Sequence, residues 1–125
     1  MGNISQFSCP DCRQAWRVNL GHGMNHAMLN TVLEAFSEQT RQKIVGCVGG
    51  RQILYFDFNY RAAVCSRCGN IVEIPVLKLP EIGETFVGEC PECDHSAEII
   101  KDGETPMCPH CGAAALEETP LGHWD

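Results

Sequence analysis

The chain has 125 residues, nine of them cysteine, and a formal net charge of −7. A chain of this length forms one domain or two very small ones, and neither half alone can bury a large hydrophobic core. Its apolar runs span only a few residues, as at residues 53–56, which excludes a membrane-spanning segment. Because the cysteine number is odd and no signal peptide is recognisable, we expect a reducing compartment and a cytoplasmic protein.

The first 44 residues predict a strand followed by a helix. Residues 15–20 alternate between apolar and polar side chains, which predicts a half-buried strand. Apolar residues then recur at helical spacing, so we predict one long helix over about residues 25–44. We expect Met24, Met28 and Phe36 to belong to its buried face.

The middle of the chain predicts two more strands and then a linker. Residues 52–58 are rich in aromatic and β-branched side chains, and residues 70–77 form a second such run with Pro75 inside it. Residues 78–83 look like a linker between two units. We therefore predict a first domain at residues 1–79 and a second, smaller and acidic domain at residues 80–125.

Eight of the nine cysteines occur in four Cys-x-x-Cys pairs, which we call knuckles 1 to 4. Two such turns can aim four thiolates at one metal ion, the usual arrangement of a structural zinc site. In two of the pairs the residue after the second cysteine is a glycine, Gly69 or Gly112. This position of the turn usually needs a positive φ, which glycine adopts easily. The knuckles are Cys9 and Cys12, Cys65 and Cys68, Cys90 and Cys93, and Cys108 and Cys111.

The four knuckles allow three pairings, of which we favour the sequential one. Knuckles 3 and 4 are separated by 14 residues, close to the usual zinc-ribbon range, with a turn signal at residues 102–103. Pairing the middle two knuckles is sterically feasible but leaves the outer two at opposite ends of the chain. We thus predict Cys9, Cys12, Cys65 and Cys68 as one metal site, and Cys90, Cys93, Cys108 and Cys111 as the other.

These knuckles resemble those of tandem zinc-ribbon or rubredoxin-like proteins, and most of all the bacterial CpXC domain, which carries four Cys-Pro-x-Cys motifs. The resemblance covers the whole chain by layout but rests on the knuckles. It implies metal binding and no established activity. Knuckle 2 departs from the motif with Ser66 in place of proline, and Arg13 and Asp94 stand where glycine often follows.

The predicted fold class is therefore mostly β with one long α-helix: two zinc ribbons, the first carrying a helical insertion between its knuckles. We expect two Zn²⁺ ions. Iron in the same four-cysteine geometry is the alternative, since only the metal then distinguishes electron transfer from a structural role. Four cysteines leave no open metal position, and we see no catalytic residues, so we expect no enzymatic activity.

The ninth cysteine and four of the histidines are weaker candidates for a functional site. Cys47 lies in an apolar segment, which favours a small buried residue over a reactive thiol. His22 and His26 more readily belong to a loop than to a metal site. His95 and His110 lie in or beside knuckles, where we expect them to hydrogen-bond a thiolate.

Three functions follow as hypotheses. The first is a protein-interaction module, contacting its partner through ribbon edge strands or through residues 121–125. The second is nucleic-acid association through the first unit, but the net charge of −10 over residues 79–125 disfavours it. The third is rubredoxin-like electron transfer. The arginines and tyrosines that would serve nucleic-acid binding are Arg13, Arg17, Arg61, Arg67, Tyr55 and Tyr60.

Overall fold

Two small antiparallel sheets dominate the computed structural model, which describes residues 2–124. The strands are β1 (Gly2–Ser8), β2 (Ala15–Leu20), β3 (Asp57–Cys65), β4 (Asn70–Leu79), β5 (Glu84–Val87), β6 (Glu98–Ile99) and β7 (Glu117–Trp124). Sheet 1 has the strand order β2-β1-β7, and sheet 2 has the order β5-β4-β3-β6.

The predicted long helix is wrong: its segment contains two short helices after a single 3-10 turn at Met24–Ala27. Helix α1 covers Leu29–Leu33, and helix α2 covers Glu38–Val48. The chain breaks at Ser37, whose extended backbone and side chain cap α2 by accepting a hydrogen bond from the amide of Thr40. The sequence Ser-Glu-Gln-Thr at residues 37–40 carries this start signal.

The guanidinium of Arg41 also stabilises this break. It donates hydrogen bonds to the carbonyl oxygens of Leu33 and Phe36, at 3.0 and 3.1 Å. Leu33 is the last residue of α1, and its carbonyl oxygen also accepts from the amide of Phe36 at 3.2 Å. The charged donor adds to the few hydrogen bonds available to carbonyls at a helix end. None of the described helices is long and apolar enough to span a membrane.

The strand predictions are met in part. Strand β2 occupies residues 15–20 as predicted, and β4 extends the predicted 70–77 by two residues. Residues 51–56, by contrast, form no regular structure, and the strand predicted at 52–58 begins only at Asp57.

Strand pairing interleaves the two predicted domains. Strand β7, near the end of the chain, pairs along its length with β1 at the beginning. Strand β6 pairs with β3, and residues 78–83, predicted as a linker, complete β4 and turn the chain into β5 within sheet 2. The segments 1–79 and 80–125 therefore do not form separate sheets.

The β3–β4 hairpin separates two parts of the core. Side chains alternate across a strand, so Ala62 and Ile71 pack with Trp16 in sheet 1, whereas their neighbours Ala63 and Val72 pack on the opposite face. Farther along the hairpin, a third apolar cluster joins it to the helices through Val32, Phe36, Ile44, Phe58, Leu77 and Leu79.

Candidate metal centres

The structure gathers the eight knuckle cysteines into two groups of four, but not in the predicted pairs. Within each group all sulfur atoms lie within 4.8 Å of one another. The outer cluster joins knuckles 1 and 4, and the inner cluster joins knuckles 2 and 3. The outer cluster is Cys9, Cys12, Cys108 and Cys111, and the inner cluster is Cys65, Cys68, Cys90 and Cys93.

Strand pairing explains this nested arrangement. Strand β7 leaves knuckle 4 and pairs with β1, which enters knuckle 1, so that Glu117 lies opposite Ser8. Strand β6 leaves knuckle 3 and pairs with β3, which enters knuckle 2, so that Glu98 lies opposite Val64. Each later knuckle is thereby carried to the end of an earlier strand, and the sequential pairing predicted from spacing is incorrect.

The sulfur distances fit a tetrahedral metal ion. Bonds of about 2.3 Å from four thiolates to Zn²⁺ place the sulfurs about 3.8 Å apart. In the outer cluster the Cys9–Cys111 and Cys12–Cys108 distances are 3.6 and 3.7 Å. In the inner cluster the Cys65–Cys93 and Cys68–Cys90 distances are 3.5 and 3.9 Å. Disulfides would need about 2.0 Å, and all nine cysteines are free.

The knuckle turns share one backbone design. In knuckles 1 and 4 the amide of the second cysteine donates to the sulfur of the first, with N–S distances of 3.4 and 3.5 Å. In all four knuckles the next residue bonds back to the first cysteine's carbonyl oxygen and has φ between 60° and 69°. Arg13 and Asp94 adopt this left-handed conformation although they are not glycines. The four residues are Arg13, Gly69, Asp94 and Gly112.

Within each cluster, hydrogen bonds and burial shift the pKa values of the cysteine thiols in different directions. In the inner cluster the amide of Cys68 lowers the pKa of Cys65 to about 7, whereas the neighbouring thiol of Cys93 and burial raise the pKa of Cys68. In the outer cluster burial opposes ionisation of Cys108, but the amides of Cys111 and His110 lower its pKa to about 6. The lowered pKa values favour the thiolate form of Cys65 and Cys108, which is the form that binds a metal ion.

The two clusters also differ in exposure. Each contains two buried cysteines, but Cys111 of the outer cluster is exposed, whereas Cys68 and Cys93 of the inner cluster are partly covered. A hydrogen-bonded link connects the clusters: Trp16 Nε1 donates to Asn70 Oδ1 at 3.0 Å, and Asn70 Nδ2 donates to Glu92 Oε2 at 2.8 Å. Trp16 follows knuckle 1, Asn70 follows knuckle 2 and Glu92 lies within knuckle 3.

The hydrogen bonds correct the prediction for His95 and give the partners of His22 and His26. His95 contacts the carbonyl oxygen of Cys93 through Nδ1 at 2.7 Å rather than a thiolate. His22 bonds to Asn59, and His26 accepts from the amide of Gly23. Among the described residues, only the two cysteine clusters group metal-ligating side chains.

Cys47 is exposed on α2, contrary to the prediction that it is buried. Trp124, in the segment 121–125 predicted to contact a partner, is partly buried. Trp124 Nε1 donates to the carbonyl oxygen of Leu20 at 2.9 Å, and its ring packs near those of Tyr60 and His26. Asp125, the last residue of that predicted contact segment, lies outside the described residues.

No protein-family model matches the chain, so the resemblance to the CpXC domain gains no support. Neither the curated proteins nor the solved structures contain a significant match. The geometry itself shows a mostly β protein with two four-cysteine sites that could hold metal ions.

Proposed function

We propose that this protein is a non-enzymatic module in which two Zn²⁺ ions stabilise an interleaved β fold that binds a protein partner. The observation that carries the proposal is the pair of four-cysteine clusters with sulfur separations near those of a tetrahedral zinc site. Four thiolates suit Zn²⁺, which has no redox chemistry and accepts tetrahedral geometry readily.

The ligand set favours a structural role for both ions. A catalytic zinc keeps one position open for water or substrate, whereas four cysteines fill the coordination sphere. Cys9 and Cys108 of the outer cluster and Cys65 and Cys90 of the inner cluster are buried. Each ion would therefore form part of the local core, among apolar neighbours such as Phe7 and Leu116 at the outer cluster.

Metal binding would contribute most to the free energy of folding where it closes the longest loop. The Cys9–Cys111 contact joins residues 102 positions apart, and the Cys65–Cys93 contact joins residues 28 positions apart. Closing such loops costs conformational entropy that a protein of this size offsets poorly with apolar burial alone. Two ions would supply that free energy at the points where the chain crosses itself.

Charge supports a protein partner over nucleic acid. Each loaded site adds about −2, because four thiolates outweigh one Zn²⁺, which takes the net charge from −7 to about −11. The arginines proposed for nucleic-acid binding do not surround one site: Arg13 follows knuckle 1, Arg67 lies in knuckle 2, and Arg61 pairs with Asp102 at 3.4 Å. A strongly acidic protein suits a basic protein surface better than a phosphate backbone.

Metal analysis of protein purified from its own host tests the structural half of the proposal. We expect two zinc ions per chain, a colourless protein, and loss of its β-sheet circular dichroism signal when a strong chelator is added. Recovery of that signal with ZnCl₂, and not with MgCl₂, would support the structural role. Iron with visible absorption would instead indicate rubredoxin-like electron transfer, and absence of metal would overturn the proposal.

Cross-linking in the host tests the partner. We expect one reproducible cross-linked protein, lost when two cysteines of each cluster are replaced by serine. Salt-sensitive binding of RNA or DNA to the zinc-loaded protein, with no protein cross-link, would favour the nucleic-acid alternative instead.

A further inference from the structure

A group of large apolar side chains is exposed on one part of the surface. Met24 is 75% exposed, Leu54 is 80% exposed and Tyr55 is 59% exposed. All three line one cavity of about 430 Å³, together with His26, Asp57 and Phe58. We call this cavity the Met24–Leu54 groove. Met28 is 66% exposed as well. The prediction that Met24 and Met28 belong to the core is therefore wrong.

One wall of the groove is fixed by an acidic side chain. The carboxylate of Glu81 accepts hydrogen bonds from the backbone amides of Leu54 and Tyr55, at 2.8 and 2.9 Å. Residues 51–56 have no regular secondary structure, so these charge-assisted bonds position a segment that would otherwise be free to rearrange. The protein thereby holds Leu54 and Tyr55 in solvent.

A second part of the groove wall is fixed by a histidine. His26 Nδ1 accepts from the amide of Gly23 at 3.0 Å, and the imidazole stacks on Phe58 with 4.8 Å between ring centroids. Burial, followed by the nearby His22, lowers the pKa of His26, which favours the neutral ring that this acceptor role requires. Both walls are therefore ordered before any partner binds, which reduces the entropy lost on binding.

The charges at the groove are acidic and unpaired. Asp57 lies in the lining and Glu81 supports one wall. Within residues 2–124 the one ion pair is Arg61 with Asp102, so neither carboxylate has a lysine or arginine within ion-pair distance. Lys78 lies opposite Asp57 in the β3–β4 register but forms no ion pair with it. An occupant that places a cation beside an apolar side chain would match both features of the groove.

We propose that the Met24–Leu54 groove binds a segment of a partner protein that carries an apolar anchor side chain next to lysine or arginine. The inference rests on the proposed interaction function and names the surface that performs it. Methionine suits such a surface because its flexible thioether adapts to different anchors. The apolar anchor would displace water from Met24, Leu54 and Tyr55, and the cation would face Asp57.

Binding of short labelled peptides to the full-length, zinc-loaded protein tests the groove. The probe is an amphipathic leucine–lysine peptide, compared with a leucine–glutamate peptide and a serine–lysine peptide of equal length. We expect fluorescence anisotropy to detect binding of the leucine–lysine peptide, and both comparison peptides to bind at least about ten-fold more weakly. Equal binding of the serine–lysine peptide would overturn the proposal, since charge alone would then explain the affinity.

Matched variants locate the binding. We expect Leu54→Ser and Met24→Ser each to weaken peptide binding about ten-fold, and Asp57→Asn to weaken it and reduce its salt dependence. Leu121→Ser is the control, because Leu121 is 48% exposed but lies outside the groove. Equal effects of Leu54→Ser and Leu121→Ser would overturn the assignment. So would a dimer of the wild-type chain that Leu54→Ser converts to a monomer, since a second copy would then cover the groove.

The same variants separate this inference from the proposed function. If the host cross-link persists in Leu54→Ser and Met24→Ser, the groove is not the binding surface, although the zinc-stabilised interaction module stands. If the protein contains no zinc, the proposed function fails whatever the peptides do.

Discussion

The sulfur atoms of Cys9 and Cys111 lie 3.6 Å apart although 102 positions separate the two residues in the chain. Their contact places the first and last knuckles in one cluster and encloses the other two knuckles in a second. The first and last strands of the chain are thus held side by side, both by this cluster and by the β1–β7 pairing.

Paired cysteine replacements test the nested clusters directly. In Cys9→Ser/Cys108→Ser both changes fall in the outer cluster, so we expect one zinc ion to remain. In Cys9→Ser/Cys65→Ser each cluster loses one thiolate, so we expect both ions to be lost to a competing chelator. Native mass spectrometry after mild chelation measures the stoichiometry. Sequential pairing predicts the reverse result for the two variants, and that result would refute the nesting.

The left-handed residues after knuckles 1 and 3 are expected to cost stability. Arg13 and Asp94 have φ of 62° and 60°, and a residue with a Cβ atom is disfavoured there by about 1 kcal/mol. We expect Arg13→Gly to raise the free energy of unfolding by roughly that amount. We expect a smaller gain for Asp94→Gly, because aspartate tolerates this region better. Urea unfolding at a fixed free zinc concentration measures both.

Gly112→Ala provides the matched opposite change. Gly112 has φ of 69°, and an added Cβ atom would meet no other atom within 4 Å. Any loss of stability, which we expect to be about 1 kcal/mol, would therefore come from the backbone conformation. If Gly112→Ala were neutral, the explanation for Arg13→Gly would fail with it.

The start of α2 is expected to depend on Ser37. Its side chain accepts from the amide of Thr40 at 3.3 Å and donates to Glu89 at 3.2 Å, beside Cys90 of the inner cluster. We expect Ser37→Ala to lower the free energy of unfolding by about 1 kcal/mol, because the amide of Thr40 loses its partner. Thermal unfolding of zinc-loaded protein measures the change.

Gly46→Ala is the control in the same helix. An alanine Cβ atom at this exposed position would meet nothing within 4 Å, and alanine favours a helix over glycine by up to about 1 kcal/mol. We therefore expect Gly46→Ala to stabilise the protein. A neutral Ser37→Ala beside a stabilising Gly46→Ala would mean that the helix forms without its cap.

Glu73 is expected to make stability depend on pH. Burial raises its pKa above the ordinary 4.5, although the amide of Asn19, 3.1 Å away, opposes the shift. A raised pKa means that folding favours the protonated form. The contribution of Glu73 to the free energy of unfolding is therefore fully present below pH 4.5. It is lost as the pH rises through the pKa that Glu73 has in the folded protein. We expect Glu73→Gln to be more stable than wild type at pH 8.

The gain from Glu73→Gln should shrink as the pH falls towards 4.5, because the wild-type carboxyl then becomes neutral as well. The amide oxygen of glutamine can still accept from Asn19, so the hydrogen bond is kept. Melting temperatures of both proteins across this range, at equal zinc concentration, measure the difference. A difference that stays constant with pH would exclude the ionisation of Glu73 as its cause.

Local patterns were predictable wherever the chemistry depends on neighbours in the sequence. The four Cys-x-x-Cys pairs indicated two four-cysteine groups, and the alternation of residues 15–20 indicated β2. The sequence also contains a start signal for α2, because Ser37 is a favourable N-cap and Glu38 places an acidic residue in the first turn. The continuous apolar spacing around these residues nevertheless suggested one long helix.

Two four-thiol sites and a mostly β fold are evident from local sequence, because a Cys-x-x-Cys turn and a strand are defined within a few residues. Which knuckles share a site depends on the folded chain. All four knuckles are chemically equivalent, so spacing alone cannot choose between them, and the choice depends on the long-range registers of β7 on β1 and β6 on β3. The tertiary structure likewise exposed Met24, which the helical pattern had placed in the core. Burial depends on what packs against a face, and the sequence of one segment does not contain that information.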